Sequence, residues 1–174
     1  MRNVAFALLA AVLIAGGGCG RKVTSRQAVE FNDTLVAQNK RLVAAGDEFV
    51  DRATKALRDG GSVDVAMTRR SYESAMEMLD RVRSDVRIVQ VPDSEAARRY
   101  YAEFQRSLEN QDRMIRRDLG AMVKVIEDAS LAPQARYTRI VGIASRLEAA
   151  AKQDFAELRA AQADFARAHG FTLR

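Results

Sequence analysis

The clearest pattern in the chain is a heptad repeat of apolar residues between about residues 26 and 58. Seven residues make about two turns of an α-helix, so positions seven apart lie on one face. The repeat predicts a long helix that packs on a neighbour at a shallow left-handed crossing angle. A small or polar column beside it would allow close helix approach or form a polar layer. The apolar columns are Ala28, Leu35, Leu42, Phe49 and Ala56, then Val29, Val36, Val43, Val50 and Leu57; the small or polar column is Asn32, Asn39, Gly46 and Ala53.

Three further stretches carry an apolar stripe at helical spacing, at about residues 63–91, 95–129 and 134–169. Each connection between these stretches contains glycine or proline. Glycine caps a helix end, and proline stops or starts a helix. Such short connections force neighbouring long helices to run antiparallel. The sequence therefore predicts one all-α domain, an up-down-up-down antiparallel four-helix bundle over residues 26–174. The connections are Asp59-Gly60-Gly61-Ser62, Val91-Pro92-Asp93-Ser94 and Ser130-Leu131-Ala132-Pro133.

Residues 1–18 are typical of a signal peptide rather than of a folded domain. Met1-Arg2-Asn3 gives a positive start, Val4 to Ala15 contains no charge, and Gly16 to Gly18 are small. A membrane-spanning helix needs about 20 apolar residues, and this run is shorter. We therefore exclude it from the fold.

The only cysteine of the chain follows directly. Leu13 through Cys19 resembles a bacterial lipobox, in which a small residue precedes a cysteine that receives a diacylglyceryl group. Gly18 fits this pattern, whereas Gly16 stands where leucine is usual. The resemblance implies lipidation of Cys19, with acyl chains such as palmitate, followed by a short tether over residues 19–25. More than one acyl chain gives stable attachment to a membrane.

Gly20 follows the cysteine, and the absence of an aspartate there points to the outer membrane, facing the periplasm. The alternative is cleavage by an ordinary signal peptidase, which would leave a free thiol on a secreted or periplasmic protein.

Four polar residues fall on or beside the stripes of the last two helices: Gln111, Asp118, Arg146 and Asp154. With a turn at residues 130–133, antiparallel pairing sets Asp118 level with Arg146 and Gln111 level with Asp154. They would form a small buried polar site, or they would only fix the register of two helices or lie at the edge of the stripe. In the pair Tyr100-Tyr101, Tyr101 belongs to the stripe, so the other ring would face outward as a contact for a partner.

No catalytic, cofactor or metal site is expected. His169 is the only histidine, and no Glu-x-x-His or Cys-x-x-Cys-His motif occurs, so di-iron and covalent haem sites are not expected. A haem held by His169 and a methionine is less plausible than a terminal surface histidine. No nucleophile motif or phosphate-binding loop is present, and we predict no enzyme. Basic and acidic residues are mixed, 28 against 23, so nucleic acid is not an expected partner.

The whole mature chain resembles the small bacterial envelope lipoproteins that fold as four-helix bundles and have no assigned activity. The features that carry this resemblance are the signal ending in Gly18-Cys19, the four long helices, and the final run from Ala163 to Phe171. It implies a non-enzymatic structural or protein-interaction role at the cell envelope, with an envelope protein or cell-wall partner. The alternative is a bundle that binds a small apolar or metal-containing ligand, which a mid-bundle cavity or polar cluster would favour.

Overall fold

The computed structural model describes residues 23–58 and 64–173, without the side chains of residues 55–58. The predicted signal peptide, Cys19 and the break at residues 59–62 lie outside this part. The described chain is all-helical and contains no strand. Its helices are α1 (Ser25–Arg58), α2 (Val65–Arg87), α3 (Glu95–Arg113), a π-helical segment (Met114–Leu119), α4 (Gly120–Glu127) and α5 (Pro133–His169).

The third segment differs most from the sequence pattern, which predicts one regular helix over 95–129. A π-helical segment lies between α3 and α4, and the three segments form one uninterrupted helical rod. A π turn closes its hydrogen bonds five residues apart rather than four, so it rotates the residues beyond it around the axis. At the end of this segment, a methyl group added to Gly120 would lie 3.3 Å from the Tyr72 hydroxyl oxygen. Glycine therefore allows Tyr72 to pack close to the rod.

The second helix ends earlier than predicted, at Arg87 instead of about residue 91. Ile88 caps it, and the Val89 N–H donates to the Val86 carbonyl at 3.1 Å. Pro92 disfavours helical backbone at Val91, so the helix does not extend to the predicted end at residue 91. Ser94 then starts α3, accepting a hydrogen bond from the Ala97 N–H at 3.1 Å.

The core follows the first heptad column. Ala28, Leu35, Leu42 and Phe49 are buried, whereas Val29, Val36 and Val43 in the adjoining column are only half-buried. An aromatic group closes the core near the start of α1 and the end of α5. Its Phe165 ring lies 5.5 Å from Phe31 and 5.4 Å from Tyr100. The two apolar columns of α1 are thus not equivalent, since the first joins the core, whereas Val29, Val36 and Val43 of the second do not and Val50 only packs against it.

Gly170 ends α5 in the left-handed conformation, with φ 67° and ψ 36°. A side chain there has open space but a strained backbone, so Gly170→Ala should lower the free energy of unfolding by about 1–2 kcal/mol. Gly46 is the matched control, because it lies within α1 and also has no atom within 4 Å of an added methyl group. Gly46→Ala should raise stability by about 0.5–1 kcal/mol. Urea denaturation followed by circular dichroism measures both; a loss at Gly46 would contradict this reasoning.

Candidate functional site

A buried polar cluster connects three helices in the middle of the molecule. The Ser107 hydroxyl donates to Asp154 Oδ2 at 2.5 Å, and the Asn110 amide donates to Asp154 Oδ1 at 2.6 Å. Gln111 Nε2 donates to Asn39 Oδ1 at 3.0 Å and lies 3.4 Å from Ser107 Oγ. Gln111 and Asp154 therefore belong to one cluster, through Ser107, at the level that antiparallel pairing predicted. Ser107 and Asn110 were not predicted as members, and Asn39 was predicted only for a possible polar layer along α1.

The second pair, Asp118 and Arg146, does not form a buried polar layer. Asp118 is buried, but it accepts two hydrogen bonds from its neighbour Arg117, at 3.0 and 2.8 Å. Arg146 is exposed, as are Ser145 and Ala149 on the same side of α5. Pairing across a turn fixes the height of two residues but not the rotation of either helix. The π-helical segment that contains Asp118 changes that rotation further.

An open groove of about 1110 Å³ runs between α1 and α5 above a floor from α3. The half-buried valines of α1 form one wall, at heptad spacing. Aromatic and aliphatic side chains of α5 form the other wall, and the chain end closes one end of the groove. The larger apolar lining residues are Val29, Val36 and Val43 from α1, Tyr100 and Phe104 from α3, Phe155 and Leu158 from α5, and Phe171 and Leu173 from the tail.

Hydrogen-bonding and charged side chains also line this groove. Gln162 Nε2 donates to Asn32 Oδ1 at 2.8 Å, which joins the two walls. Asn39 lines the groove and at the same time accepts from Gln111, so it connects the groove to the buried cluster. Charges alternate at heptad spacing along the α1 wall as Asp33, Lys40 and Asp47, and the α5 wall carries Lys152 and Arg159.

The sequence predicted that the column Asn32, Asn39, Gly46 and Ala53 would allow close helix approach or form a polar layer. In the structure its members have different roles. Asn32 and Asn39 make the hydrogen bonds just described, and Ala53 is buried in the core. Gly46 would have no atom within 4 Å of an added methyl group, so it mediates no close helix approach.

Tyr100 was predicted to face outward as a contact for a partner, but in the structure its ring faces inward. It is 2% exposed, and its ring stacks on Phe165 while it lines the groove. Tyr101, assigned to the core, is half-buried and donates its hydroxyl to the Val86 carbonyl at 2.9 Å. Burial, together with the Asp33 carboxylate, raises the pKa of the Tyr100 hydroxyl above its usual range. The phenol therefore stays neutral at pH values at which an exposed tyrosine would begin to ionise.

His169 is not a free surface histidine. Its Nε2 lies 2.9 Å from Ser94 Oγ, and its ring centroid lies 4.8 Å from that of Phe165. The imidazole thus joins the end of α5 to the first turn of α3. Over residues 23–58 and 64–173, no group of three or more histidine, cysteine, aspartate or glutamate residues is arranged to hold a metal ion.

No protein-family model matches the chain, and no curated protein or solved structure matches it significantly. Within the part of the chain that the structure describes, none of the helices combines the length and apolar character needed to cross a membrane. The groove and the polar cluster are therefore the features from which a function can be inferred.

Proposed function

We propose that this protein is a lipid-anchored, non-enzymatic binding protein of the bacterial cell envelope, which engages a protein partner through the groove between α1 and α5. The observation that carries the binding role is the column Val29, Val36 and Val43, which lines the groove instead of joining the core. Apolar side chains that repeat every seven residues on a helix are the usual seam for another helix.

The same proposal includes an antiparallel up-down-up-down arrangement of four helical rods. These are α1, α2, the rod formed by α3, the π-helical segment and α4, and α5. Contacts between the rods support it, because they join residues that antiparallel pairing sets at the same height. The Ser25 hydroxyl donates to the His169 carbonyl at 3.1 Å, which sets the start of α1 beside the end of α5. Arg41 pairs with Asp85 at 3.0 Å, and Arg69 pairs with Glu127.

A single amphipathic helix fits the groove best as the part that the partner contributes. The lining of α1 from Val29 to Asp47 extends over about 27 Å at 1.5 Å per residue, which matches a helix of about five turns. The partner helix would place apolar residues at heptad spacing on the valines. Acidic residues on its flank would lie beside Lys152 and Arg159, and such rim charges act mainly on partner choice and association rate.

The groove is tested by photo-crosslinking in intact cells. A photoreactive amino acid replaces Val36 in one variant and Val141 in the control, since Val141 is an exposed valine of α5 outside the groove lining. We expect one discrete crosslinked protein from position 36 and none from position 141. Adding Val43→Arg should abolish that product, because an arginine would put a charge into the apolar seam. Equal crosslinking from both positions would refute the groove as the binding site.

Anchoring rests on the sequence from Leu13 to Cys19, and the test is mass spectrometry of the mature N-terminus from membranes. We expect a chain that begins at Cys19 with attached acyl chains. An unmodified terminus or an intact precursor would refute the anchor without affecting the groove.

A small apolar ligand is the second candidate occupant, and the aromatic floor favours it. Tyr100 and Phe104 underlie the groove, and the polar cluster reaches it through Asn39. Native mass spectrometry of protein isolated from envelopes distinguishes the two. A non-covalent adduct of constant mass that Val43→Arg removes would favour the ligand, whereas a bare chain with a specific crosslink favours the helix partner.

A further inference from the structure

Ile88 is the most exposed large apolar side chain in the part of the chain that the structure describes. Its exposure is 81%, against 36–43% for Val65, Met67, Val141 and Leu173. It caps α2 at the beginning of the turn that leads to Pro92, and Val89 and Val91 beside it are half-buried. An isoleucine held almost entirely in water makes no contribution to the core and forms an apolar tip on this end of the molecule.

The same end receives the chain from Cys19. Val23 packs against the core and lines a shallow cleft together with Val89, Val91 and Pro92. Val23 follows Cys19 by four positions, and four extended residues span at most about 14 Å. A lipid on Cys19 would therefore hold the turn at 88–92 close to the membrane surface.

The charges of this end also suit a phospholipid surface. Three of its exposed acidic groups are paired on the protein: Glu30 with Arg26 at 2.8 Å, Asp93 with Arg98 at 2.8 Å, and Glu95 with Arg99 at 3.1 Å. Arg87 is exposed directly beside Ile88, and the tether sequence contributes Arg21 and Lys22. Basic residues next to a membrane attract anionic headgroups, whereas unpaired carboxylates would be repelled.

We propose that Ile88 and Arg87 form a second membrane contact, in which Ile88 enters the headgroup region and Arg87 binds lipid phosphate. This inference rests on the proposed lipid anchor and adds an orientation to it. The helices then stand along the membrane normal, with α1 rising about 51 Å from the surface, and the α1–α5 groove opens sideways into the periplasm. A contact at two points restricts the tilt that a single flexible tether would leave free.

The chain contains no tryptophan, so one introduced tryptophan is the only such fluorophore. Full-length lipidated Ile88→Trp protein is reconstituted in phosphatidylethanolamine–phosphatidylglycerol vesicles, with and without bromine on the acyl chains. Val65→Trp is the matched control, because Val65 is exposed at the start of α2, one helix length away. We expect brominated lipid to quench at least half of the emission of the Ile88→Trp protein and less than a tenth for the control. Adding Arg87→Glu should reduce the quenching at least twofold.

Mass spectrometry of the Cys19 peptide from the same vesicles distinguishes a failure of the lipid anchor from a failure of the membrane orientation. If Cys19 carries its lipid and the Ile88→Trp protein is quenched no more than the control, the orientation is overturned and the anchor stands. If Cys19 carries no lipid and the protein does not float with the vesicles, the anchor and the orientation are both overturned.

Discussion

Replacing Phe165 with alanine is expected to lower the free energy of unfolding by about 3–5 kcal/mol, the range for removing a buried phenylalanine. Phe165 is fully buried, and its ring meets four others. The ring centroids of Phe31, Tyr100, Phe171 and His169 lie 4.8–5.7 Å away. The substitution opens a cavity where α1, α3, α5 and the tail converge, and rigid aromatic neighbours are poorly able to refill it.

Phe155→Ala is the matched control for this substitution. It removes the same side chain from the same helix, but Phe155 is half-buried and lines the groove. We expect less than half of the stability loss at this position, because the side chain gives up less buried surface. Urea denaturation of both variants by circular dichroism measures the difference. Similar losses at the two positions would mean that the groove wall belongs to the core.

Hydrophobic periodicity was sufficient to predict that residues 23–58 and 64–173 are all-helical and that Leu35, Leu42 and Phe49 are buried. A residue that recurs every seven positions must stay on one face of a straight helix, so the pattern determines which side turns inward. The same pattern could not distinguish the valine column from its neighbour. Whether Val36 is covered depends on how far α5 lies from α1, which is a property of the packed molecule and not of either helix alone.

The positions of the polar residues were also predictable in part and unpredictable in part. Gln111 and Asp154 were predicted to lie level, since height along two antiparallel helices follows from counting residues to the turn. Arg146 agrees with the alternative of an edge position, because a small change in rotation is enough to move a residue at the edge of a stripe into solvent. The π-helical segment could not be predicted, because the intervals of four and three residues from Ile115 to Leu119 and Met122 are also those of an ordinary α-helix.

The second large effect is expected at the buried cluster, where Asp154→Ala should lower the free energy of unfolding by about 2–4 kcal/mol. Asp154 is 7% exposed and accepts from Ser107, which is 2% exposed, and from Asn110. Its removal leaves two donors without an acceptor in a site that water reaches poorly. Asp164→Ala is the control, because Asp164 lies on the surface of the same helix and pairs only with exposed Arg167. That change should stay within about 0.5 kcal/mol.

A double-mutant cycle decides whether the loss comes from the stranded donor or from the missing carboxylate itself. Ser107→Ala removes the hydroxyl that donates to Asp154 at 2.5 Å, and the double variant Ser107→Ala/Asp154→Ala removes both partners. If the donor is the cause, the double variant is more stable than the sum of the single losses predicts, with a coupling of about 1–2 kcal/mol. Additive losses would mean that the two side chains contribute independently. The cluster would then be a set of separate polar residues and not a connected network between the core and the groove.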